Sequence, residues 1–220
     1  MKKRLFLLGL MMTFFGNLHS YAQSKSLVDF LPEGYIILDT LKGDLNKDGL
    51  MDVVMIIKGT DHNNIVLNEY RGELDRNRRG IILLFNMNNT YQLAAKNYDC
   101  FSSENEDGGV YFPPDLYIEI QKNNLYINYD HGRYGSLMYT FRYQNGDFEL
   151  IGYDERDTFG PVVRSETSIN FLTKKKLYKE NINFLEEDGA EVFKETWIKI
   201  NIIDLIKLSE IKDFDSLDKF

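Results

Sequence analysis

The feature that most restricts the fold is a recurrence of short β-branched and aromatic runs, each stopped by Asn, Asp or Gly. They are EGYIILDTL, MDVVMIIK, GIILLFNM, DLYIEI, NLYINYD, LMYTFRYQ, DFELIGYD, TSINFLT and TWIKINII. Runs of this length and composition read as strands. Several alternate, as where Leu116, Ile118 and Ile120 are set against Tyr117 and Glu119. That is the period of a sheet with one buried face. The segments ILLFNMNNTYQLAAKNYD, LYIEIQKNNLYINYD and MYTFRYQNGDFELIGYD each read as strand, Asn-rich turn, strand, and each ends on Tyr-Asp. FLTKKKLYKENINF is a weaker fourth copy. Asn145-Gly146 is the clearest turn, because these two residues accept the positive φ angles of a two-residue hairpin. The expected fold is all-β: an antiparallel meander of successive hairpins, or a small, incomplete propeller-like version of it.

Helix signals are scarce. Ser26 to Phe30 suits a single turn ended by Pro32, and DLIKLSEIK from Asp204 carries Leu205, Leu208 and Ile211 at three-residue spacing, which suits a short helix. The last residues, DFDSLDKF, read as a polar tail. No stretch has the length or composition of a linker, so residues 23–220 are expected to form one β-rich domain.

The opening MKKRLFLLGLMMTFFGNLHSYAQS has the three parts of an export signal: Lys2, Lys3 and Arg4, an apolar stretch, then Ser20 and Ala22 as small residues before a cut. The apolar core from Leu5 to Phe15 is shorter than the roughly 20 residues needed to span a bilayer. Residues 1–22 are therefore read as a signal peptide, with the mature chain starting at Gln23, exported to the periplasm or beyond and not inserted in the membrane. No cysteine stands at the cut, so lipid attachment is not indicated.

Loss of Lys2, Lys3 and Arg4 takes 26 basic residues to 23 against 34 acidic ones, a net charge of −11. Without a dense basic patch, such a chain is not expected to bind nucleic acid or an anionic membrane surface. The run at Lys174, Lys175 and Lys176 is explained by a hairpin turn. Cys100 is the only cysteine. An exported chain then has no internal disulfide and must draw stability from packing or from another source such as a bound metal. Cys100 itself reads as a small buried residue.

The strongest candidate for such a metal is GDLNKDGLMDVVMII, residues 43–57. Calcium takes six to eight oxygens, so its site needs short oxygen-bearing side chains converging from a tight stretch of backbone. Asp44, Asn46 and Asp48 alternate, Gly49 allows the sharp bend, the Leu50 carbonyl can add an oxygen and Asp52 can close the shell. Three carboxylates around a divalent ion leave a net charge near −1, ample at extracellular calcium concentrations. Magnesium suits the loop less because it keeps its waters, and zinc would want His or Cys. The plainer alternative is a polar turn with no ion. In a helix-loop-helix calcium hand the twelfth loop position is glutamate, and here it is Met55. The loop instead runs into the apolar stretch Val53 to Ile57.

The pattern D-x-N-x-D-G-x-x-D entering a Val/Ile strand resembles the calcium loop of FG-GAP/VCBS-type repeats, the blades of integrin-α-like β-propellers. The resemblance covers about residues 42–58, one copy, and implies Asp44, Asn46, Asp48 and Asp52 as calcium ligands around Gly49.

Other candidates are weaker. YDHGRYGS gathers Asp130, His131, Arg133 and Ser136, residue types a hydrolase uses, at what reads as a hairpin end. His62 beside Asp61 reads as loop. Tyr111, Tyr117, Tyr129, Tyr134, Tyr139 and Tyr143 offer rings for a protein or carbohydrate ligand, or else pair across the sheet. There is no phosphate loop, nucleophile elbow or paired-histidine metal motif. The expected function is an exported, calcium-stabilised β-rich binding or interaction module, not an enzyme. The alternative is a secreted hydrolase assembled around His131 and carboxylates.

Overall fold

The computed structural model describes residues 26–88, 90–106, 113–184, 190–214 and 217. The export signal and its cleavage point lie outside these residues. Thirteen strands follow in order: β1 (Tyr35–Gly43), β2 (Asp52–Gly59), β3 (Ile65–Asn68), β4 (Gly72–Asp75), β5 (Arg79–Asn86), β6 (Tyr91–Phe101), β7 (Asp115–Gln121), β8 (Asn124–Asp130), β9 (Gly135–Gln144), β10 (Asp147–Phe159), β11 (Val162–Asn170), β12 (Lys175–Asn181) and β13 (Phe193–Lys199). They form a four-stranded sheet β1-β2-β5-β6, a seven-stranded sheet running β7 to β13 in sequence order, and a ribbon β3-β4. Every pairing is antiparallel. The fold is the all-β hairpin meander expected from the sequence.

The two large sheets share one core. Val54, Ile56, Ile81, Leu83 and Phe85 of the four-stranded sheet meet Ile118, Ile127, Tyr139, Phe141 and Ile169 of the seven-stranded one. On the seven-stranded sheet, Ile118, Ile127, Tyr139, Tyr153 and Ile169 are successive cross-strand partners, so a single rank of large side chains points inward. β2 and β5 have a second buried face. There Val53, Met55, Ile57, Ile82 and Leu84 pack beneath Leu27, Phe30 and Leu31 of the amino-terminal segment. Burial on both faces is why these two strands read as continuous apolar runs and not as alternation.

The turns follow the residues. Asn145 (φ 54°) and Gly146 (φ 83°) close β9 onto β10 with Gln144 opposite Asp147, and Lys122 and Asn123, also at positive φ, close β7 onto β8 in the same way. Lys174 (φ 55°) ends the β11–β12 turn, so part of the lysine run is turn geometry. Gly43 has a different reason. A Cβ there would come within 2.6 Å of Ile120 Cγ2, so only glycine lets β1 approach β7 this closely.

Two expectations at the carboxyl end are corrected. The segment from Asp204 contains one 3-10 turn, Leu208–Glu210, and no longer helix. Its backbone pairs with β10 instead: the Leu150 N–H donates to the Ile206 carbonyl at 2.8 Å, and Lys207 bridges Glu149. A three-residue spacing of apolar side chains serves a 3-10 turn as well as an α-helix. Phe214, at the start of DFDSLDKF, is not part of a free polar tail either. Phe214 is 1% exposed and stacks on Phe101 at 5.2 Å, with Tyr139 edge-on at 5.0 Å. Its N–H donates to the Cys100 carbonyl at 3.1 Å, and its carbonyl accepts from the Tyr139 hydroxyl at 3.0 Å. Asn97 Nδ2 holds the same strap by donating to the Leu208 and Ile211 carbonyls at 2.8 and 2.6 Å.

Replacing Gly146 with Val forces a β-branched residue into the left-handed region, at a cost of about 2 kcal/mol. A fall of several degrees in melting temperature is expected. An unchanged melting temperature would count against the hairpin.

Candidate functional site

The aspartate loop joins β1 to β2, between Gly43 and its cross-strand partner Asp52. The backbone turns left-handed at Lys47 (φ 67°) and Gly49 (φ 83°). The Asp44 carboxylate accepts from the N–H groups of Lys47 at 2.7 Å and Gly49 at 3.2 Å. Asn46 Oδ1 accepts from Asp48 N–H at 3.0 Å, Asn46 Nδ2 donates to Asp48 Oδ2 at 2.9 Å, and Asp48 Oδ1 accepts from Leu50 N–H at 2.8 Å. The alternating Asp, Asn and Asp thus fold back on their own loop, each filling backbone donors that the tight turn leaves without partners. Among the described residues no three acidic, His or Cys side chains are grouped closely enough to hold a metal.

Asp52 behaves differently from the other loop acids. It is fully buried, with Oδ2 accepting from Leu45 N–H at 2.8 Å and Oδ1 from Asn86 N–H at 3.0 Å. It therefore ties the loop to the end of β5. Asn123, in the β7–β8 turn, adds a hold from the second sheet by donating to the Asp44 carbonyl at 2.7 Å. Leu45 is buried in the shared core. The loop rests on three elements.

The tyrosines separate. Tyr129 and Tyr139 belong to the core, and Tyr143 packs edge-on against Phe85 at 4.7 Å. Tyr117 is 55% exposed, and Tyr111 lies outside the described residues. Cys100 is buried in the core, and burial pushes its thiol well above the ordinary range, which suits a packing residue and not a nucleophile. His62 sits in an exposed 3-10 turn.

His131 lines a groove of about 600 Å³ together with Glu104, Asp115, Asp130 and Arg133. Its ring stacks on Tyr129 at 6.5 Å, and its Nε2 makes no hydrogen bond among the described residues. Asp130 Oδ1 is used locally, accepting from Gly132 N–H at 2.7 Å. Ser136 lies on the outer face of the seven-stranded sheet, opposite Asp130 and Arg156. The pieces of a hydrolase are thus near one another, but among the described residues no carboxylate is hydrogen-bonded to the imidazole.

The outer face of the seven-stranded sheet carries a second groove, of about 560 Å³, that the sequence reading did not identify. Its floor is a cross-strand rank, Tyr117, Asn128, Met138, Asp154, Ser168 and Leu177, that continues to Trp197, 64% exposed, on β13. Arg156, Glu166 and Lys179 flank it as an ion ladder, with Lys179 Nζ 3.6 Å and Arg156 Nε 3.9 Å from Glu166. Burial pushes the Asp154 carboxyl above its ordinary value, while the Ser168 hydroxyl pulls it the other way. The available signal was the period-two pattern itself, which places Tyr117 and Asp154 opposite the core residues Ile118 and Tyr153.

No protein family, curated protein or solved structure matches the chain.

A carboxyl whose folded pKa is raised costs nothing while it is protonated in both states. The cost grows as pH rises from the ordinary 3.8 to the folded value, and is constant above it. Asp154→Asn should therefore raise the melting temperature at pH 7, with the gain shrinking as pH falls toward 3.8. An Asp154→Asn protein that melts at or below the wild-type temperature at pH 7 would contradict this.

Proposed function

We propose that the protein is an exported, calcium-stabilised, β-rich binding module for a protein or carbohydrate ligand. The observation that carries the reading is the Asp154 rank: a carboxylate held half-buried on the floor of an outward-facing groove, between an exposed tyrosine and an exposed tryptophan on one sheet. A fold optimised only for stability has no use for that carboxylate. A ligand with polar groups and flat apolar faces does.

Calcium is assigned to the loop from its composition: three carboxylates, an amide and a carbonyl within nine residues, from Asp44 to Asp52. Carboxylate oxygens that accept one N–H keep further lone pairs, so the hydrogen bonds of Asp44, Asp48 and Asp52 are compatible with a cation. Ion binding needs Asn46 Nδ2 to release Asp48 Oδ2, with Asp52 as the fixed base. The role proposed for the ion is structural, in a chain without a disulfide. The hydrolase alternative has less support, because among the described residues no carboxylate is hydrogen-bonded to the His131 ring.

Ion binding to the folded state alone stabilises by about 2.7 kcal/mol when calcium is about a hundredfold above Kd. Wild-type protein should melt several degrees higher in excess calcium than in excess chelator, and Asp48→Ala should abolish that difference. Asp52→Ala should also lower the melting temperature in chelator, since it removes the acceptor of the buried Leu45 N–H and of the partly buried Asn86 N–H. Identical melting of the wild type in calcium and in chelator would remove calcium from the reading.

A further inference from the structure

Strand β13 ends the seven-stranded sheet and has a neighbour, β12, on one edge only. Lys194 to Lys199 are exposed on both faces of the strand, with Trp197 on one face and Ile198, 43% exposed, on the other. The inward rank that starts at Ile118 runs through Tyr153 and Ile169 to Lys176 and Ile198, so the hydrophobic core stops at β11 and β13 lies beyond it. A strand with neither face buried draws little stability from its own fold. Its free edge is a template for another strand.

The backbone shows which residues would pair there. The Ile182 N–H donates to the Val192 carbonyl at 2.9 Å, and the Ile200 N–H donates to the Lys174 carbonyl at 3.1 Å. Even-numbered residues of β13 therefore turn their backbone groups toward β12. By the alternation of an antiparallel ladder, Phe193, Glu195, Trp197 and Lys199 turn theirs toward the free edge.

The side chains then select one register. Antiparallel pairing with β13 of a second copy has to set outward residues opposite outward residues. A two-fold axis at Trp197 does so: the two tryptophans face each other, and each Glu195 lies opposite Lys199 of the other copy. On the other face Thr196 meets Ile198. An axis at Glu195 or Lys199 would set like charges opposite, and an axis at Thr196 or Ile198 would set Trp197 against a charge. Within one chain Lys199 faces Lys175 across the sheet and has no ion pair among the described residues, while Glu195 lies 3.9 Å from Lys179. A second copy places a carboxylate beside that lysine.

We propose that β13 is a homodimerisation edge, joining β13 of a second copy antiparallel across a two-fold axis at Trp197 and fusing two seven-stranded sheets into one. The strand is self-complementary in charge, as a two-fold interface requires. A contact of one strand pair is small, so the dimer is concentration-dependent and weakened by salt. This inference goes beyond the binding-module reading and needs neither calcium at the aspartate loop nor a ligand at Asp154.

The test is sedimentation velocity of the mature protein over a dilution series, in chelator and without ligand, with tryptophan fluorescence read on the same samples. Trp197 is the only tryptophan of the chain, so its emission reports on this contact alone. A monomer–dimer equilibrium is expected, with the emission shifting to the blue as dimer forms. Glu195→Lys and Lys199→Glu should each weaken the dimer about tenfold or more, because both cross-copy pairs become like charges. An equimolar mixture of the two variants should recover a heterodimer, since a lysine then faces a glutamate at both positions. Recovery on mixing also shows that neither variant lost association by failing to fold. The inference is overturned if the protein stays monomeric at every concentration, or if a dimer forms without moving the Trp197 emission. It is equally overturned if charge reversal leaves the dimer intact, if mixing restores nothing, or if ever larger species grow with concentration, as head-to-tail pairing of β13 with β7 would give.

Discussion

Burial of β2 and β5 on both faces is the constraint on which the rest of the structure depends. A four-stranded sheet with two apolar faces needs two covers, and the chain supplies them from different places. The seven-stranded meander covers one face, and the amino-terminal segment Leu27 to Leu31 covers the other. The carboxyl-terminal strap then fills the gap between the sheets, with Phe214 among Phe101, Tyr129, Tyr139 and Phe141. Truncating a buried phenylalanine of this kind typically costs about 3–5 kcal/mol. The strap is therefore part of the core and not an appendage. Cys100 lies beneath it, buried in the same core.

The same arrangement decides where polar groups sit. Asp52 is buried because β2 begins inside the core, and its carboxylate is satisfied by two backbone donors. Arg79 is buried because it begins β5 at the opposite end of the sheet, where its Nε donates to the Ser102 carbonyl. Asp154 is half-buried because the outer face of the larger sheet is hollowed into a groove. Of these groups, Asp52 holds a loop in place, while Asp154 is kept at a cost that packing does not explain and is where ligand chemistry has the most to offer.

Much of this was legible in the sequence, unevenly. The strands and the Asn145-Gly146 turn were, because short-range rules govern them: period-two alternation, β-branched content and the positive φ that Asn and Gly accept. The two-faced burial of Val53 to Ile57 was visible only as an absence of alternation. The strap was misread because Leu205, Leu208 and Ile211 satisfy a helical spacing while the pairing partner, Leu150, is remote in sequence. Phe214 looked like part of a polar tail since its four neighbours on either side include Asp213 and Asp215. The loop residues were identified from residue type. That Asp52 is an anchor unlike Asp44 and Asp48 follows from its contact with Asn86, which no local pattern contains. Arg79 gave no signal at all, because its burial at the start of β5 is a property of three dimensions.

The central functional claim is that a loop fixed to the core through Asp52 holds calcium with Asp44, Asn46 and Asp48. A crystal structure of the mature protein grown in millimolar calcium tests it most directly. The account predicts an ion bounded by Asp44, Asn46, Asp48, the Leu50 carbonyl and Asp52, at the roughly 2.3–2.6 Å oxygen distances of calcium. In that structure the Asn46 Nδ2 to Asp48 hydrogen bond would be broken and the Asp52 bonds to Leu45 and Asn86 kept. A loop that stays closed on itself in the same crystals, with no ion and with Asn46 still bonded to Asp48, would contradict it.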